Sequence, residues 1–112
     1  MEVQSSSQTV LVEDGVVQLA FDLSGSNAAY LLISKPEDGN RDEFFGADHY
    51  VEVKDQLYGS YGGLARLAVL NENALTVQLS SDVPEVGREL SIVTADPMPS
   101  ELLQRLRELE RS

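Results

Sequence analysis

The sequence predicts an α+β domain: an antiparallel β-sheet of about seven short strands, arranged as hairpins and a meander, with one C-terminal amphipathic helix packed on it. Three observations predict this. Short apolar segments with a period of two recur along most of the chain, turn residues separate them, and only the C-terminal segment changes to helical spacing. With 112 residues and no internal repeat, the chain has the length of one domain over 1–112.

Each element follows in order. Residues 1–7 read as a flexible end, because Ser5-Ser6-Ser7 is polar and no periodic pattern precedes it. Residues 8–13 form a first strand, and Asp14-Gly15 is a two-residue hairpin turn, since both residues tolerate positive φ. Val17, Leu19, Phe21 and Leu23 then alternate with Gln18, Ala20, Asp22 and Ser24, the pattern of a strand with one wet face. After turn residues 24–27, the compact run at 28–34 suits a more central strand covered on both faces, which completes a meander.

Pro36 interrupts the ladder, and residues 35–47 read as a long loop or a short irregular helix. Phe44 and Phe45 within it either plug onto the core or stand out as anchors for a partner. The strand pattern returns at 48–55, with His49, Val51 and Val53 on one face and Asp48, Tyr50, Glu52 and Lys54 on the other. The Tyr- and Gly-rich stretch 56–63 predicts a tight corner or bulge. Residues 64–70 and 74–80 form a hairpin across Asn71-Glu72-Asn73, with Leu75, Val77 and Leu79 inward. A loop at 81–87 leads to the last strand at 88–93, where Leu90 and Ile92 share a side. Asp96 as N-cap and Pro97 as first residue predict a helix start, with Ser100 as the rival cap. Met98, Leu102, Leu106 and Leu109, with Leu103 beside them, make the stripe that docks on the sheet.

Composition excludes several functions. The chain has no cysteine, so disulfides, thiolate metal sites and thiol nucleophiles are absent. The N-terminal segment has neither the basic start nor the apolar run of a signal peptide, and no long apolar stretch follows, which predicts a cytoplasmic protein. Nineteen acids against eight bases give a formal net charge of -11, a field that repels nucleic acids and anionic membranes. The excess is concentrated at 37–55, where Glu37, Asp38, Asp42, Glu43, Asp48, Glu52 and Asp55 face only Arg41 and Lys54. Such a segment would steer a cationic partner, or serve solubility alone.

No catalytic constellation emerges. His49 is the lone histidine, and no Gly-x-Ser-x-Gly elbow presents a serine to it. A metal site at His49 would need Asp48, Glu52 or Asp42, but a regular strand turns Asp48 away from His49, and no calcium-loop spacing occurs. Gly59-Ser60-Tyr61-Gly62-Gly63 lacks the lysine and the glycine spacing of a phosphate cradle. The residues therefore predict a binding domain without cofactor, metal or enzymatic activity.

Tyr30-Leu31-Leu32-Ile33, Asp42, the run from Gly46 through Val53, Gln56, and Tyr61-Gly62-Gly63-Leu64 together resemble the bacterial immunity protein 10 family. The resemblance covers residues 28–109, and its most specific part is a Tyr-x-Glu-x strand followed by Tyr-Gly-Gly. It implies an immunity protein of a polymorphic toxin system, which binds and neutralises a cognate bacterial toxin; many such toxins are nucleases with basic sites that suit an acidic inhibitor. On that expectation the candidate partner-binding residues are Asp42, Glu43, Phe44, Phe45, Asp48, Tyr50 and Glu52, while Tyr61, Gly62 and Gly63 maintain a structural turn. The competing expectation is a small structural or assembly protein, a homodimer included, that self-associates through its sheet edges.

Overall fold

Alternation of apolar and polar side chains sets the strands, and the computed structural model describes them over residues 1–37, 44 and 46–110. Among the described residues nine strands and one helix form an α+β fold. The strands are β1 (Glu2–Ser5), β2 (Ser7–Glu13), β3 (Val16–Leu23), β4 (Ala29–Pro36), β5 (Tyr50–Val53), β6 (Asp55–Tyr61), β7 (Leu64–Asn71), β8 (Ala74–Val83) and β9 (Gly87–Thr94). The helix is α1 (Ser100–Glu108).

They make two sheets rather than the one expected. Five strands follow one another in the order β2-β3-β4-β5-β6, an uninterrupted antiparallel meander with β4 at its centre. The second sheet has the order β1-β9-β8-β7, antiparallel except where β1 pairs parallel with β9. Leu19, Phe21, Leu31 and Ile33 of the first sheet and Leu75, Val77, Leu90 and Ile92 of the second are fully buried in one core. Two sheets answer a simple need: each has an apolar face to hide, and they hide each other's.

The turn chemistry is as expected at Asp14 (φ 54°) and Gly15 (φ 78°), which join Glu13 and Val16 in a tight hairpin. At 56–63, however, most of the predicted corner is strand β6, and the turn is confined to Gly62 and Gly63. Gly62 has the left-handed φ of 71°, and a Cβ on Gly63 would lie 2.7 Å from that of Ser60 and 2.9 Å from Val51 Cγ1. One glycine serves backbone conformation and the other close approach.

Residues 1–7 are ordered, contrary to the expected flexible end. Val3 is buried, the Ser91 N–H donates to the Met1 carbonyl at 2.8 Å, and the Met1 nitrogen reaches the Glu89 carbonyl at 2.8 Å. The open side of β9 supplies a partner that no local pattern could reveal.

The helix starts three residues later than Asp96-Pro97 suggested. Met98 precedes Pro99, and the proline ring disfavours helical backbone in the residue before it. Residues 95–99 are instead tied down, Thr94 Oγ1 donating to the Asp96 carbonyl at 2.7 Å and the Met98 N–H to that of Glu72 at 2.8 Å. Beyond Pro99 the predicted stripe holds: Leu102, Leu103, Leu106 and Leu109 are buried, as is Met98. The helix lies against β7 and reaches β2, spanning the two sheets. Lys35 of β4 holds the Glu108 carboxylate at 2.6 Å, and this hydrogen bond keeps the Glu108 carboxyl below the usual carboxylate range. No helix among the described residues is long and apolar enough to cross a membrane.

Candidate functional site

Of the candidate residues, Tyr50 and Glu52 lie on the face of the five-stranded sheet that points away from the core. Leu31, Ile33, Val51 and Val53 face inward, so alternation sends Tyr30, Leu32, Tyr50 and Glu52 outward. Tyr50 is registered opposite Tyr61 of β6, and their rings pack 4.9 Å apart. Phe44 lies edge-on to Tyr61, with centroids 6.0 Å apart and planes at 90°. Phe44 is buried, yet apart from the main core, packed on this tyrosine pair rather than exposed as an anchor. Asp42, Glu43 and Phe45 lie outside the described residues.

Glu52 is the centre of the cluster and departs most from expectation. Placed by alternation on a wet face, it is only 8% exposed. The Tyr30 hydroxyl donates to its Oε2, and the Tyr50 hydroxyl donates to its Oε1 at 2.7 Å. Gly59 makes room for this arrangement: a Cβ there would run into the Tyr50 hydroxyl. None of the salt bridges among the described residues involves Glu52. Among the described residues its carboxylate is met by two phenols and by no base. It is not placed as a direct contact for a partner.

Burial, reinforced by hydrogen bonding to Glu52 and by its charge, raises Tyr50 from the usual 10.0 to about 12. The same causes raise Tyr30 further. Between about pH 10 and 12 an unfolded chain releases the Tyr50 proton while the folded one retains it, so folding stability falls with rising pH across that window. A spectrophotometric titration is expected to show a late phenolate component, and Glu52→Gln is expected to shift it to lower pH. A titration unchanged by Glu52→Gln would break the assigned link.

His49 and Asp48 also differ from the sequence expectation. Strand β5 begins at Tyr50, so neither residue obeys strand alternation. The Asp48 carboxylate contacts His49 Nδ1 at 2.6 Å instead of facing away. Nε2 accepts the Leu64 N–H at 3.0 Å, which places the ring proton on Nδ1, directed at Asp48. The His49 carbonyl accepts the Gly62 N–H at 2.9 Å. His49 therefore joins the segment before β5 to the first residue of β7, one sheet to the other, with both ring nitrogens engaged.

The sequence reading missed Tyr30, Gly59 and the His49–Leu64 bridge. Tyr30 had a signal, since it shares a face with Leu32, but its approach to Glu52 requires knowing that β4 and β5 are neighbours. The described His, Asp and Glu residues form no group of three or more able to hold a metal ion. No protein-family model, curated protein or solved structure matches the chain.

Proposed function

We propose that the chain is an immunity protein of a polymorphic toxin system, which binds and neutralises a cognate toxin through its acidic surface. The observation that carries the reading is charge: a net -11, with seven acids against two bases at 37–55. The field of such a segment accelerates encounter with a cationic protein surface and disfavours nucleic acid. Glu52, one of those acids, is held by two phenols beneath the surface, and His49 serves as a structural bridge. The resemblance of the Tyr-x-Glu-x and Tyr-Gly-Gly segments to immunity protein 10 supplies the toxin context.

Co-expression with the product of the adjacent upstream gene tests the reading. A complex and rescue from toxicity are expected, and reversing Glu37, Asp42 and Glu43 to lysine is expected to slow association by about tenfold at low salt. Glu52 is left intact because its burial would confound binding with folding. Absence of both complex and rescue would overturn the proposal.

A second reading, self-association through sheet edges, draws on Leu11 and Val12 of edge strand β2, which are 46% and 42% exposed. Light scattering distinguishes it: a strict monomer at high concentration removes it.

A further inference from the structure

The outer edges of the two sheets are not equivalent. β7 has α1 against it, and its Val69 N–H is taken by the Glu110 carboxylate at 2.8 Å. β2 also runs beside α1, and β1 is only 4 residues long. β6 is 7 residues long, pairs with β5 alone, and carries neither lysine nor proline, the residues that commonly protect an edge from further pairing.

A groove opens beside β6. The Ser80 N–H donates to the Gly63 carbonyl at 2.8 Å, which stitches the turn after β6 to β8. Beyond that bond, Leu57 and Ser60 of β6 form one wall, Ser81, Asp82 and Val83 of β8 the other, and Val53 contributes the apolar lining between them. The β8 wall is also short of partners. Its pairing with β7 ends at Leu79, and its register with β9 jumps from Gln78 to Val83, so Ser81 and Asp82 belong to neither ladder. Extended backbone with unpaired stretches thus flanks a partly apolar channel, and Leu57 stands 80% exposed at its rim.

The charge around the channel is negative on balance, although Lys54 Nζ lies 6.0 Å from the ring of Tyr58 in the lining. Asp82 is the charged residue of the lining, and Asp55 is exposed at the head of β6. Lys54 is directed to the Pro84 carbonyl at 3.1 Å and the Glu85 carboxylate at 3.5 Å.

We infer that this groove receives an extended segment of the protein partner, alternating apolar and cationic residues, which adds to β6 as a further strand. Backbone hydrogen bonds to β6 provide the attachment, an apolar side chain covers the exposed Leu57, and the cations meet Asp55 and Asp82. The inference rests on the toxin-binding reading for its partner and deepens it by naming the mode of contact.

An acetylated, amidated peptide of alternating lysine and valine, titrated into the isotope-labelled full chain, tests the groove without the toxin. Saturable amide shifts are expected at β6 and at residues 80–83, with amide exchange in β6 slowed about tenfold and affinity falling as salt is raised. Leu57→Glu and Asp82→Lys, both at exposed positions, are each expected to weaken binding about tenfold without changing the melting temperature. No saturable shift, shifts centred on β2, equal binding of a glutamate–valine peptide, or indifference to both substitutions would overturn the inference. So would β6 protection that grows with protein concentration in the absence of peptide, since a second copy would then fill the groove. If the peptide fails while the toxin is still neutralised, the groove inference falls alone; if the peptide binds β6 while no toxin is bound, the toxin reading falls alone.

Discussion

Glu52→Lys is expected to destabilise the fold by about 4 kcal/mol, read as a lower urea midpoint with an unchanged slope. The substitution puts an ammonium where two phenols now direct their protons, at a position 8% exposed. The hydroxyls must turn around or lose their acceptor, and an ammonium must be desolvated where a phenol-bound carboxylate now sits. Glu52→Gln retains one acceptor oxygen and the shape of the side chain, so its expected cost is only about 1 kcal/mol. A Glu52→Lys protein as stable as the parent would mean that the carboxylate faces water and that the Tyr30–Glu52–Tyr50 arrangement does not form in solution. The consequence for function is practical: charge reversal at this position reports on folding, so the acidic surface must be probed at Glu37, Asp42 and Glu43.

His49→Ala is expected to cost about 3 kcal/mol, combining the cavity left by a buried ring with the loss of an acceptor for a buried backbone N–H. The ring is 2% exposed, and its Nε2 accepts the buried Leu64 N–H. His49→Gln can bring an amide oxygen to roughly the same place and is expected to recover about half of the loss. Equal costs for the two variants would show that packing alone explains the residue. Amide exchange at Leu64 gives the second measurement, since its protection should fall in His49→Ala and return in His49→Gln. If binding to a partner survives in the glutamine variant, the histidine contributes to the architecture of the site and not to recognition.

The contrast between these two residues shows what a pattern can carry. Val51 and Val53 are buried as alternation predicts, whereas His49 precedes the strand and is buried through its bonds to Asp48, Leu64 and Gly62. The same alternation placed Glu52 outward, which is right for its direction and wrong for its environment. Direction follows from strand geometry, whereas exposure depends on what lies across the face. Tyr30, 22 residues away in sequence, reaches Glu52 only because β4 and β5 pair, and Tyr50 reaches it because position 59 lacks a side chain. For Phe44, both alternatives were legible, and the neighbouring Tyr61 ring decides for burial.

The sequence by itself determined the local elements: the hairpin at Asp14-Gly15, the alternation of Val17 through Leu23, and the stripe of leucines on α1, because each depends on residues within a few positions of one another. It also determined the charge, which is a property of composition. Tertiary structure alone decided that the strands divide into two sheets, that β1 lies parallel to β9, and that β6 remains an open edge beside a groove. Backbone hydrogen bonding is almost indifferent to side-chain identity, so a period of two tells a strand which face to bury but not which strand to join. Partner choice is settled only when both apolar faces, the helix and every turn are satisfied together, and that same settlement places Glu52 beneath the surface and leaves β6 at its edge.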